Sequence, residues 1–73
     1  MNATKTYRGK VLQNITFNGV SFSIGDIVDV VEELDKPFVQ IEKFDEENLQ
    51  YLAMSGVPKE LVINLDLLPA TEW

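Results

Sequence analysis

The 73 residues predict a small, mainly β domain, a five-stranded antiparallel barrel or strongly bent sheet. Three observations lead there. Apolar residues recur at every second position in several short runs, the period of a half-buried strand. Those runs are rich in Val, Ile, Phe and Tyr, which suit a pleated surface. Turn-forming residues separate them: Asn18-Gly19, Gly25-Asp26, Asp35-Lys36-Pro37 and Gly56.

In chain order, YRGKVLQNITF at 7–17 reads as the first strand and leads into Asn18-Gly19, the strongest short hairpin signal. Residues 20–24 form the returning strand, with Val20, Phe22 and Ile24 on one face and Ser21 and Ser23 on the other. Gly25-Asp26 bends the chain into IVDVVEEL, which is too β-branched for a helix. Pro37 ends that segment, and FVQIEKF at 38–44 alternates Val39 and Ile41 with Gln40 and Glu42.

Local signals conflict in DEENLQYLAMSG at 45–56. Asp45 suits a helix cap and Leu49, Leu52 and Ala53 share a helical face, so the alternative is an α+β chain with one short helix at about 46–55. The preferred reading is a turn at 45–48 and a strand from Leu49 to Met54, because a hairpin pairs the edge that a helix would leave open. VPKE at 57–60 reads as a helical turn and LVINLDLL at 61–68 as a last strand. The expected core is Val11, Ile15, Val20, Phe22, Ile24, Val28, Val30, Val39, Ile41, Leu52, Val62 and Ile63.

One domain fits this length. It is expected over residues 7–68, with a basic arm at 1–6 and a C-terminal tail at 69–73 ending in Trp73. A chain so short buries about 60% of its unfolded surface, which disfavours a catalytic cleft between layers. With no Cys and no His, thiolate and imidazole chemistry are excluded, and Ser21, Ser23 and Ser55 have no imidazole to activate them. The glycines are isolated, so no phosphate loop exists. The carboxylates Glu32-Glu33 and Asp45-Glu46-Glu47 lack the spacing of a calcium loop and read as solvated charge. Neither an enzyme nor a cofactor or metal is expected. No export signal or membrane-spanning run is legible, so the cytoplasm is the expected compartment.

Charge is distributed unevenly. Residues 1–25 hold Lys5, Arg8 and Lys10 and no acid, giving +3, whereas residues 26–73 hold three bases and all 12 acids, giving −9 and a net −6. An acidic surface repels phosphate backbones, so direct nucleic-acid binding is not expected and basic partners are favoured. A strip of Asp29, Glu32, Glu33, Asp35, Glu42, Asp45, Glu46 and Glu47 is the candidate face for such a partner.

The segments FSIGDIVDVVEEL and SGVPKELV, with a hairpin between them, resemble the Src-homology-3-like barrels. In that family a Gly-Asp bend opens the second barrel strand and a Gly-x-Val-Pro segment makes a short helical turn before the last. The resemblance covers residues 20–66 and implies either a peptide-binding adaptor or another module on the same frame. Phe38-Val39 stand where the family's peptide binders carry a Trp pair, and Leu61 where they carry a Tyr. Pro58 alone matches their groove, and a surface cluster of Phe38, Tyr51 and Pro58 would favour the adaptor.

From MNATKTYRGKVLQN to LLPATEW, the whole chain also resembles the small RNA-polymerase-binding transcription regulators of lytic bacteriophages. That resemblance implies a monomeric protein of the infected cell's cytoplasm that binds host RNA polymerase, at its β and β′ subunits. It would block promoter-dependent initiation and promote readthrough of terminators. The contact residues expected on charge are Lys5, Arg8, Lys10, Glu32, Glu33, Asp45, Glu46 and Glu47.

Overall fold

The computed structural model describes residues 3–68 and 71. Residues 1 and 2 of the expected arm, and most of the tail including Trp73, lie outside the described residues. Seven strands follow in order: β1 Thr4–Val11, β2 Ile15–Phe17, β3 Val20–Phe22, β4 Ile27–Glu33, β5 Phe38–Asp45, β6 Gln50–Pro58 and β7 Val62–Asn64. Two short 3-10 turns, Lys59–Leu61 and Leu65–Leu67, flank β7. Five strands make one antiparallel sheet in the order β6-β5-β4-β1-β7, and β2 and β3 make a separate two-stranded ribbon.

The chain is therefore mainly β and antiparallel, as its periodicity predicts, but the sheet is not closed into a barrel. β6 and β7 are its edges. β7 is too short to extend the ladder, and the strand expected over 61–68 stops at Asn64. The Asn64 side chain accepts the Asp66 N–H at 2.9 Å, which turns the chain into a 3-10 turn that drives Leu65 fully into the interior.

The first expected strand is two strands. β1 ends at Val11, whose N–H reaches the Asp26 carbonyl and whose carbonyl takes the Gly25 N–H. Asn14 then accepts the Ile24 N–H at 2.8 Å and fixes the base of the β2–β3 ribbon. Asn18 and Gly19 both sit at positive φ, 51° and 78°, as a two-residue hairpin turn requires. Beyond Phe22 the alternation ends, because Asp26 closes a turn by accepting the Ser23 N–H and donating its own N–H to the Ser23 carbonyl. Ile24, expected in the core, is consequently 65% exposed.

Helix does not form between 45 and 56; β6 pairs with β5 from Asp45↔Gln50 to Phe38↔Pro58. Along that ladder Ile41 faces Met54 and Val39 faces Val57, so β6 holds one extra residue between the two pairs. Gly56, at φ 73°, takes up the bulge. The phase change turns both Met54 and Val57 inward although they lie three apart.

The arm expected at 1–6 is strand from Thr4 onward. Thr4 lies opposite Glu33, Lys5 opposite Glu32 and Thr6 opposite Val31. The core comprises Val11, Phe22, Val28, Val30, Val39, Ile41, Met54, Val57, Val62 and Leu65. Ile15, Val20 and Leu52 pack on its margin rather than inside it, and Ile63 is only half-buried. Gly9 lies where β1 is squeezed between both neighbours: an added Cβ would meet Val62 Cγ1 at 2.6 Å and Val30 Cγ2 at 2.7 Å.

Urea denaturation should separate these positions. Phe22→Ala empties a fully enclosed site and should cost about 3–5 kcal/mol. Gly9→Ala should cost about 1–3 kcal/mol by overpacking, while Ile24→Ala should stay within about 0.5 kcal/mol of the parent.

Candidate protein-binding surface

The charged residues singled out in the sequence do not converge on one face. β1 carries the bases and β4 the acids, and antiparallel pairing sets them against each other. Arg8 Nε lies 3.3 Å from Asp29 Oδ1, with both side chains more than half exposed. Lys5 lies opposite Glu32 and places its ammonium 5.8 Å from the centre of the Tyr7 ring. Lys10 lies between Ile27 of β4 and Ile63 of β7 and makes no ion pair among the described residues. Glu33 pairs with Lys36 at 3.2 Å.

Glu32, expected as a partner contact, faces inward instead. Its side chain is 13% exposed, accepts the Tyr7 hydroxyl at 2.8 Å through one oxygen and holds Lys59 Nζ at 3.3 Å through the other. The Tyr7 hydrogen bond is the main reason its carboxyl titrates below the usual glutamate range. Burial opposes that effect, and Lys59 and the Lys5 charge add to it. Tyr7 moves the other way, to about 12, through burial and then through the hydrogen bond and charge of Glu32. The cluster ties the 3-10 turn at Lys59–Leu61 to the sheet, so Glu32 is occupied within the fold. The acidic strip expected from sequence is thereby divided. Asp29 and Glu42 stand opposite each other on the outer face of the sheet, and Glu32 lies on the inner one.

Lys43 shows the same logic. It occupies an inward position of β5, donates to Asp26 Oδ2 at 2.8 Å and lies 5.6 Å from the centre of the Phe22 ring. Burial pushes the Asp26 carboxyl up, but the Lys43 hydrogen bond, the Ser23 N–H and the Lys43 charge together hold it below its ordinary value.

Asp45, Glu46 and Glu47 make no ion pair among the described residues. They form the turn between β5 and β6, in which Asp45 accepts from the Asn48 side chain at 2.8 Å and from the Glu47 N–H at 3.1 Å. The Asn48 bond chiefly lowers the Asp45 carboxyl; slight burial opposes it, and the Glu47 and Asn48 N–H groups and the Lys43 charge assist.

Beside this turn lies an aromatic pair that the charge pattern does not reveal. Phe44 and Tyr51 face each other across β5 and β6 with ring centres 5.1 Å apart and planes at 70°, and they are 46% and 73% exposed. Ile27, 41% exposed, shares a shallow depression with Phe44, Arg8, Asp29 and Glu42. The sequence did hold the signal, since Phe44 falls in phase with Gln40 and Glu42, the wet positions of its strand. Phe38 and Pro58 face each other at the opposite end of the same ladder. Phe38 and Phe44 are six residue steps apart along β5, about 20 Å, so Phe38, Pro58 and Tyr51 form no continuous groove.

No family model, curated protein or solved structure matches the chain. Among the described residues, no group of three or more acids is placed to hold a metal ion, and no helix is long and apolar enough to cross a membrane. What the surface offers is a flat, open area with aromatic rings beside unpaired carboxylates.

The Tyr7–Glu32 bond gives a test of the inner cluster. Tyr7→Phe should cost about 1.5–3 kcal/mol at neutral pH, the worth of a hydrogen bond to a charged group. Because Glu32 is lowered, its share of stability is present above the ordinary glutamate value and lost as pH falls through its folded value. Because Tyr7 is raised from 10.0 to about 12, its share is present below pH 10 and lost as pH rises towards 12. Unfolding midpoints across the pH range should therefore show the parent falling at both extremes and the variant converging on it there.

Proposed function

We propose that this chain is a non-enzymatic regulator, encoded by a lytic bacteriophage, that binds the host's RNA polymerase in the cytoplasm of the infected cell. It inhibits promoter-dependent initiation and promotes readthrough of terminators, engaging the polymerase's β and β′ subunits. The observation that carries this reading is the resemblance of the whole chain to regulators of that kind.

Three structural features support it. The open sheet presents broad faces rather than an enclosed cleft, which suits a protein partner. A standard interface takes about 800 Å² from each side, roughly a sixth of the 5092 Å² this chain exposes. Unpaired acids at 45–47 favour a basic protein surface and repel DNA phosphates.

A Src-homology-3-like reading of the fold has its own support: a two-stranded ribbon inserted between β1 and β4, and a 3-10 turn immediately before the short last strand. The adaptor function of that class is less favoured, because Phe38 and Tyr51 stand at opposite ends of the β5–β6 ladder. The frame supports a docking module without the proline-peptide groove.

Purified protein added to RNA polymerase before promoter DNA should suppress transcripts, while the protein alone should leave promoter DNA unshifted in a gel at moderate salt. Failure to co-elute with any bacterial RNA polymerase would end this reading.

A further inference from the structure

Ten large apolar side chains are exposed among the described residues, and three of them, Ile27, Phe44 and Tyr51, lie side by side on the outer face at the β5–β6 turn, with Leu49 exposed in the adjoining turn. The side chains belong to β4, β5 and β6, so a sheet rather than a loop fixes their spacing. Carboxylates surround them. Asp29 and Glu42 lie in the neighbouring cross-strand row, and Asp45, Glu46 and Glu47 close the end. Of these five acids only Asp29 has an ion-pair partner among the described residues, Arg8.

An exposed aromatic pair rimmed by polar groups is the composition of an interface centre, where Tyr is enriched and the surrounding contacts exclude water. The rim is predominantly acidic: five carboxylates stand against two cations, Arg8, which is paired to Asp29, and Lys10, which lies opposite Ile27. Its field attracts cations and penalises a carboxylate brought beside it. The turn is also held ready before a partner arrives, since Asp45 secures the Glu47 N–H and the Asn48 side chain, which reduces the ordering cost of binding.

We infer that the Ile27–Phe44–Tyr51 row, with the acidic turn beside it, is a docking surface for a protein segment that presents apolar side chains flanked by lysine or arginine. The aromatic pair receives the apolar side chains, and Glu42, Glu46 and Glu47 meet the flanking cations. This surface excludes Lys5, which lies over the Tyr7 ring, and Glu32, which is held by Tyr7 and Lys59. The inference rests on the polymerase reading for its first probe only.

The experiment has two arms. In the first, RNA polymerase core is titrated with the parent chain, with Phe44→Ser/Tyr51→Ser and with Glu46→Lys/Glu47→Lys, after circular dichroism has shown each variant folded. All four positions are exposed, and the charge-reversal pair lies outside the strands, so it provides a folded variant should the aromatic pair not. The expected result is a loss of about tenfold or more in affinity for the aromatic pair. The charge reversal should slow association by several-fold at low salt, with the difference shrinking as salt is added. Parent-like affinity for both variants would overturn the surface while leaving polymerase binding intact.

In the second arm, two synthetic amphipathic peptides of equal length, one built from Leu and Lys and the other from Leu and Glu, are added to isotope-labelled parent chain. The Lys peptide should shift the amide resonances of residues 27, 44, 46 and 51, and the Glu peptide should not. Should the parent fail to bind polymerase at all, the proposed function falls and this arm alone decides the surface. Shifts centred elsewhere, equal response to both peptides, or concentration-dependent pairing of the chain through these residues would overturn it.

Discussion

The pairing of β1 with β4 is the constraint on which the rest of this structure depends. Seven consecutive pairs, from Thr4↔Glu33 to Lys10↔Ile27, make it the longest continuous register in the sheet. β1 is also the one strand that β7 pairs with among the described residues, through Gly9, Lys10 and Val11. Without the first ladder the last strand has no partner, and Val62 and Leu65 have no interior to enter. The same ladder settles the electrostatics. A sequence that appears divided into a basic beginning and an acidic remainder folds so that Lys5 and Arg8 lie across from Glu32 and Asp29. The exposed Arg8–Asp29 pair contributes little by itself. Register is set by the apolar positions instead, because a shift by one residue would carry Val28 and Val30 from the core to solvent.

Much of this was legible in the sequence, for identifiable reasons. Val28, Val30, Val39 and Ile41 alternate without interruption, and period-2 reasoning places all four correctly. Asn18-Gly19 specifies its turn through two residues that both tolerate positive φ. Misplacements occur where a side chain competes with the backbone pattern. Asn14, Asp26 and Asn64 each take a main-chain N–H that a ladder would have used. The first splits one expected strand into two, the second turns Ile24 outward, and the third ends β7 early. Met54 and Val57 were hidden by the bulge at Gly56, since a pattern of period two cannot register a residue that is counted twice.

The candidate surface was half legible. Unpaired acids at 45–47 stand out in the sequence, whereas the occupation of Glu32 does not, because Tyr7, Lys5 and Lys59 are brought to it from other parts of the chain. A linear reading treats adjacent Glu32 and Glu33 as equivalent, but strand geometry sends them to opposite faces. One belongs to the inner cluster and the other to a local pair with Lys36. Phe44 and Tyr51 are ordinary strand residues until their phase and partner strand are known. A surface of this kind arises from the topology, with each part supplied by a different strand.

The β1–β7 closure has a consequence for how the molecule assembles. Gly9 and Asn64 pair across a separation of 55 positions, whereas β4, β5 and β6 follow one another as a meander and β2 and β3 close through a two-residue turn. Loop closure is entropically cheap for the local pairs and costlier for the distant one. The meander and the ribbon can therefore organise as soon as their own residues are available, and the sheet completes only when β7 reaches β1. During synthesis from the N-terminus, β1 waits longest for its second neighbour. Until residue 64 emerges, the Gly9–Val11 stretch of that flank presents unpaired amides and carbonyls, an opening that a nascent chain offers to its neighbours and the finished fold does not.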